Sequence, residues 1–189
     1  MKRVIFVCTG NTCRSPMAEA LLREQAKAKG LNIEVRSAGV STLDGLPVSA
    51  YAAETLKFWN ISHSGSSRAL TSESVGWADL ILTMTAGHKR QLLERYPQAV
   101  DKAHTLKEYV ENDASVLSDI EELERLYTEL HMKQALGGQL SDEERSRLLE
   151  LERRIPSFDI ADPFGGTMEQ YKQAAEEIYA AVEKLLQKL

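Results

Sequence analysis

The chain has 189 residues, 43% of them hydrophobic and 27% charged, with a formal net charge of −5. This is enough chain for one domain with a real core, or one domain plus a small insertion, and the composition is that of a globular protein. No apolar run approaches the ~18 residues of a membrane span, the start lacks a signal peptide's apolar stretch, and a cytoplasmic protein is expected.

Arg3–Val7 reads as a buried strand, followed by the loop Cys8-Thr9-Gly10-Asn11-Thr12-Cys13-Arg14. Ser15 suits an N-cap and Pro16 a first helical position, opening a helix over Met17–Lys29 that Gly30 stops. A second strand covers Asn32–Ser37 and ends at Ala38-Gly39, and a second helix covers Ser49–Trp59. Leu80–Met84 is a third strand, Gly87–Tyr96 a helix ended by Pro97, and Val100–Leu106 a fourth strand. Thr167–Leu189 is a long last helix, with Tyr171, Ala174, Ile178, Ala181, Val182 and Leu185 on one stripe. The alternation implies an α/β fold: a four-stranded parallel sheet flanked by helices, a flavodoxin-like three-layer sandwich.

Residues 111–155 differ in character. Val116, Ile120, Leu123, Tyr127 and Leu130 recur at helical spacing, Gly137-Gly138 breaks it, and Leu148, Leu151 and Ile155 resume it. Ser141 and Glu144 have capping-box spacing. This reads as a helical hairpin inserted in a single domain spanning 1–189. The segment holds 12 acidic and 6 basic residues, a net of −6, which leaves the rest of the chain at +1. Acidity confined to one segment argues against nucleic acid as a partner and for a solvated charged face, with a docking surface as the other reading.

The chemistry concentrates in residues 8–16. A tight loop between a strand's carboxyl end and a helix start turns its backbone N–H groups toward one point, which suits a phosphate dianion. Thr9, Gly10, Asn11, Thr12, Cys13, Arg14 and Ser15 form this cradle, with Cys8 beneath it. A thiol ordinarily titrates at ~8.5, and a helix N-terminus and a nearby guanidinium favour its thiolate. That thiolate can attack phosphorus and form a phosphocysteine. Arg14 offers a planar fork for two phosphate oxygens. Gly10 gives conformational freedom and close approach, Asn11 suits a left-handed turn, and the Ser15 hydroxyl can donate to the Cys8 sulfur. A lone cysteine at a strand end is ordinarily a small buried hydrophobe; it is the conjunction with Cys-x5-Arg, Ser-Pro and a helix that carries the functional reading.

Val7–Glu19, VCTGNTCRSPMAE, resembles the signature of the low-molecular-weight protein tyrosine phosphatase family, and more narrowly its bacterial protein-arginine phosphatase branch. Ser37-Ala38-Gly39-Val40, the Ala78–Met84 strand, Thr105-Leu106-Lys107-Glu108-Tyr109 and Asp162-Pro163-Phe164-Gly165-Gly166 follow the same family. The resemblance implies a metal-independent and cofactor-free phosphatase working through phosphocysteine. Asp162 matches the family's general acid, with Asp159 the close competitor. Thr12 stands where tyrosine-directed relatives usually hold an aliphatic residue and the arginine branch holds threonine. Thr12 and Phe164 are therefore the candidates for substrate selection, and phosphoarginine in proteins the expected substrate, with phosphotyrosine the alternative. The implied partners are arginine-phosphorylated proteins, opposed to a protein arginine kinase, with no membrane and a monomeric chain. His63 resembles the family histidine that braces the loop asparagine, and a surface histidine is the other reading. Cys13 reads either as a thiol that captures oxidised Cys8 in a disulfide or as a buried structural cysteine.

Two rivals remain. An arsenate reductase needs further cysteines downstream, and none follows Cys13. A phosphocarrier would hold phosphocysteine without needing Asp162.

Overall fold

Val4-Ile5-Phe6-Val7 is buried on both sides, as befits a strand in the middle of a parallel sheet. The computed structural model describes residues 1–189. Its strands are β1 (Lys2–Cys8), β2 (Ile33–Gly39), β3 (Leu80–Thr83) and β4 (Ala103–Thr105). The helices are α1 (Arg14–Ala28), α2 (Ala50–Leu56), α3 (Ser72–Trp77), α4 (Ala86–Arg95), α5 (Leu106–Tyr109), α6 (Ala114–Ala135), α7 (Asp142–Arg154) and α8 (Met168–Lys188). All neighbouring strands are parallel in the order β2-β1-β3-β4. Alternation along β1 divides the core between two faces. Val4, Phe6 and Cys8 pack with residues of α1 and α8, whereas Ile5 and Val7 pack with Val75 of α3 and Leu92 of α4. No helix is long and apolar enough to cross a membrane.

Met1–Val110 and Phe158–Leu189 together form one compact unit, which contains the whole sheet. Glu111–Ser157 form a second, built from α6 and α7. Within it, Lys133–Glu144 at 2.7 Å, Glu122–Arg147 at 2.7 Å and Asp119–Arg154 pair the two helices in reverse order, so they run antiparallel. Six of the segment's 18 charged residues thus meet in cross-helix pairs, of which only Asp119 is buried. Ser141 and Glu144 form the expected capping box of α7.

The sequence reading departs from the structure at several boundaries. α1 begins at Arg14 with Cys13 at its N-cap, so Ser15 and Pro16 lie inside the first turn. The Ser15 hydroxyl turns instead toward the Cys8 sulfur. β4 is shorter than Val100–Leu106 because its flanks are claimed. Val100 and Lys102 N–H close a turn on the Pro97 and Ala99 carbonyls, and Thr105 caps α5 by accepting from Glu108 N–H. The second helix tightens after Leu56 into a 3-10 turn over Lys57–Trp59, ended by Asn60 at φ 57°. α3 was not anticipated: only Val75 in it is buried, and its start is marked by the Thr71–Ser74 capping box alone.

Gly39 closes β2 against the loop after β1. A Cβ there would lie 2.5 Å from the Thr9 carbonyl oxygen and 3.2 Å from Asn11 N. Gly39→Ala should therefore destabilise the protein by roughly 1–3 kcal/mol, the usual cost of overpacking. The denaturant midpoint measures this, and an unchanged midpoint would show that the loop has room to move.

Candidate active site

Asn11 takes the left-handed conformation at φ 55°, while Gly10 does not have positive φ, so the loop's special backbone falls on the asparagine alone. Its side-chain amide donates to Ser15 Oγ at 2.8 Å and to Ser37 Oγ at 2.9 Å, and its Oδ1 accepts from Arg68 N–H at 2.9 Å. Ser37 in turn donates to Glu19. With Ser15 Oγ already accepting from Asn11, its own proton is left for the Cys8 sulfur, 2.9 Å away. Asn11 N–H points at the same sulfur from 3.3 Å. Two donors thus converge on a sulfur whose residue is only 4% exposed.

This network corrects the role considered for His63. The two amide N–H groups of Asn11 go to Ser15 and Ser37 and its carbonyl oxygen accepts from Arg68 N–H, and no histidine is among these partners. His63 stands near Glu19, and its own pKa is lowered by burial, against the opposing pull of that carboxylate.

Cys8, Thr9, Gly10, Thr12, Cys13, Arg14, Asp162 and Phe164 line one pocket of about 180 Å³. Arg14 is buried, donating to the Ile160 carbonyl at 2.7 Å and standing 3.5 Å from Asp162 Oδ2. Ile160 N–H donates to the Met84 carbonyl just past β3, which anchors the segment carrying Asp162. Asp159, the competing carboxylate, accepts from Ala86 N–H at the start of α4. Asp162 also accepts from Phe164 N–H at 3.1 Å, a turn that leaves the Phe164 ring 74% exposed at the rim. Thr12 is half-buried in the pocket wall.

Cys8 and Cys13 are both free thiols. The Cys13 sulfur lies 3.3 Å from Tyr171 Oη, which also accepts from Ser49 Oγ at 3.1 Å. Burial and then the bond to Cys13 raise the pKa of Tyr171.

The sequence reading missed His88, 79 residues from the contact it makes: its Nε2 lies 2.8 Å from Thr9 Oγ1. No local pattern could have paired them. Burial first, then the Arg14 charge, lower its pKa to about 4, opposed by Asp162 and Asp159. An imidazole in the unfolded chain protonates near ~6.5. Unfolding below that pH therefore takes up a proton that the folded protein refuses, so stability falls as pH drops from about 6.5 toward 4. Melting temperatures across this window should fall less steeply for His88→Gln than for wild type; parallel slopes would mean that His88 protonates freely in the folded state.

Residues 3–132 match the family model described as low molecular weight phosphotyrosine protein phosphatase. A Geobacillus stearothermophilus protein named protein-arginine-phosphatase is 36% identical, the match covering 99% of this chain and 95% of that one. A solved arginine phosphatase variant described as having a phosphorylated active-site serine superposes with a TM-score of 0.73 at 34% identity, covering 99% and 95% of the two chains. A low molecular weight protein tyrosine phosphatase from T. tengcongensis superposes at 0.74, with 34% identity and full coverage of both. The four-stranded parallel fold is therefore the fold of these phosphatases, and the chain belongs to the low molecular weight phosphotyrosine protein phosphatase family.

Proposed function

We propose that the protein is a protein-arginine phosphatase that hydrolyses phosphoarginine in proteins through a phosphocysteine on Cys8. The observation that carries the reading is the convergence of Ser15 and Asn11 on the Cys8 sulfur in the pocket where Arg14 faces Asp162 at 3.5 Å. In this mechanism the Arg14 fork and the loop N–H groups of Thr9 to Ser15 hold the phosphoryl oxygens. The Cys8 thiolate attacks phosphorus as the P–N bond breaks, and Asp162 gives its proton to the leaving guanidine nitrogen. The Asp162 carboxylate then takes a proton from water, which attacks phosphocysteine and releases phosphate and the thiolate. None of these steps calls on a metal or cofactor. Relatives named for arginine and for tyrosine dephosphorylation both match, the curated arginine phosphatases at 34–36% identity and a full-length tyrosine phosphatase at 29%, and within the site the choice of substrate rests on Thr12 in the pocket wall. Its hydroxyl suits a polar guanidinium, whereas the exposed Phe164 ring serves either substrate.

The same reading treats residues 1–189 as one phosphatase domain with a helical insertion at about 111–155. It places a monomer in the cytoplasm, acting on proteins marked by an arginine kinase. Cys13 would capture oxidised Cys8 only after giving up Tyr171.

Cys8→Ser should abolish turnover while leaving the melting temperature close to wild type; a folded Cys8→Ser protein with substantial activity would exclude the mechanism. Asp162→Asn should slow hydrolysis by roughly 10²–10⁴-fold. The loss should shrink for aryl phosphates with good leaving groups. If Asp159→Asn behaves this way instead, the acid is misassigned.

Thr12→Ile tests the substrate directly. In one peptide context, wild type should favour phosphoarginine over phosphotyrosine in kcat/KM, and the variant should reverse part of that ratio. The loss on phosphoarginine should exceed the gain on phosphotyrosine, because an unpaired polar group discriminates more than an added methylene, worth ~1–3 kcal/mol. An unchanged ratio removes Thr12 from selection, and a wild-type preference for phosphotyrosine makes the protein a tyrosine phosphatase.

A further inference from the structure

Thr9 follows the nucleophile directly, yet its side chain is exposed toward the pocket rather than packed away. Its backbone is fixed, since its carbonyl accepts from Ser41 N–H at 3.0 Å and lies against Gly39. Its hydroxyl meets one side chain, His88, at 2.8 Å. His88 belongs to another element, α4, where its backbone N–H is capped by Thr85 Oγ1 at 3.1 Å. The residue is 5% exposed, and its Nδ1 is buried with no partner. All the side-chain hydrogen bonding of a buried imidazole is thus directed at a single hydroxyl in the pocket wall.

We propose that His88 is a positioning residue that aims the Thr9 hydroxyl into the pocket as a side-chain donor to the bound phosphoryl group. The inference rests on the phosphatase reading above and adds a donor to its cradle.

The direction of the bond follows from what is left unpaired. An orphaned buried N–H is rarer than an orphaned acceptor. Placing the proton on Nε2 leaves Nδ1 as an unused lone pair, while the opposite tautomer would bury a bare N–H. With the proton on Nε2, His88 donates to Thr9 Oγ1, and the threonine's own proton is freed to point at an anion. The opposite tautomer would turn the hydroxyl proton back to His88 and face the anion with lone pairs. The groups facing the ring are Arg14, Asp162 and Asp159, and the ring stays neutral among them down to about pH 4. It therefore orients a donor without adding charge beside Arg14.

The test is inorganic phosphate binding, by calorimetry and as competitive inhibition. The proteins are wild type, His88→Leu, His88→Gln, Thr9→Val, Thr9→Ser and the double variant Thr9→Val/His88→Leu, each with its melting temperature. Glutamine can place an amide N–H near the Nε2 position, and serine keeps the hydroxyl. His88→Leu and Thr9→Val should each weaken phosphate binding roughly tenfold, as expected for one hydrogen bond to a charged group. The double variant should be no worse than either single change. Thr9→Ser and His88→Gln should recover binding to within about threefold of wild type. Losses that multiply in the double variant, a glutamine no better than leucine, or unchanged binding in Thr9→Val would each overturn the proposal. If His88→Leu melts too low to assay, Thr9→Val against Thr9→Ser and His88→Gln decide it. Wild-type turnover of phosphopeptides judges the phosphatase reading separately: turnover with an additive series sinks only the role of His88, and absent phosphate binding in wild type sinks both.

Discussion

The site depends on the side-chain amide of Asn11, which one unusual backbone angle turns inward. Held at φ 55°, it links the loop to β2 through Ser37, to the Arg68 backbone, and to the Cys8 sulfur through Ser15. Each partner in the series from Glu19 through Ser37, Asn11 and Ser15 to Cys8 has its donor and acceptor assigned by the next, so the proton on Ser15 has only the sulfur to go to. Buried polar networks of this kind fix one geometry when every member is satisfied and are costly when one is not. The same network makes the loop a single mechanical piece.

The sheet supplies the complementary constraint. Parallel strands place their carboxyl ends at one edge, where β1 delivers Cys8, β2 delivers Gly39 to within touching distance of the loop, and the residue after β3 receives Ile160. Ile160 ties together parts of the chain far apart in sequence. Its N–H bonds to Met84 and its carbonyl accepts from Arg14, so the peptide that carries Asp162 is held by the sheet on one side and the guanidinium on the other. Arg14 thus has a structural duty before any anion arrives, and its fork is already oriented.

The parallel sheet and the loop's main residues were legible because they rest on local signals: an apolar run, a Cys-x5-Arg spacing, an Asp-Pro turn. Boundaries failed where other hydrogen bonds claimed groups that local preference assigned to a helix or strand. Ser15 has ideal N-cap chemistry, yet the sulfur and the Asn11 amide outbid the helix for its hydroxyl. β4 starts late because Val100 and Lys102 N–H close a turn on the Pro97 and Ala99 carbonyls. His88, Ser37 and Ile160 were invisible as site residues because each acts across 26 or more positions on the loop it supports. The sequence preferred Asp162 to Asp159 by its match to the family's Asp-Pro pair; in space Asp162 lies 3.5 Å from Arg14, and Asp159 accepts from Ala86 N–H at the start of α4.

Exposure changes steeply across the pocket. The sulfur's residue is 4% exposed, while Phe164 on the rim is 74% exposed, and both border the same space of about 180 Å³. The floor is therefore nearly dry and the rim wet. Charge that develops beside the sulfur is screened far less than charge beside the ring, so added salt acts on the rim before it acts on the floor.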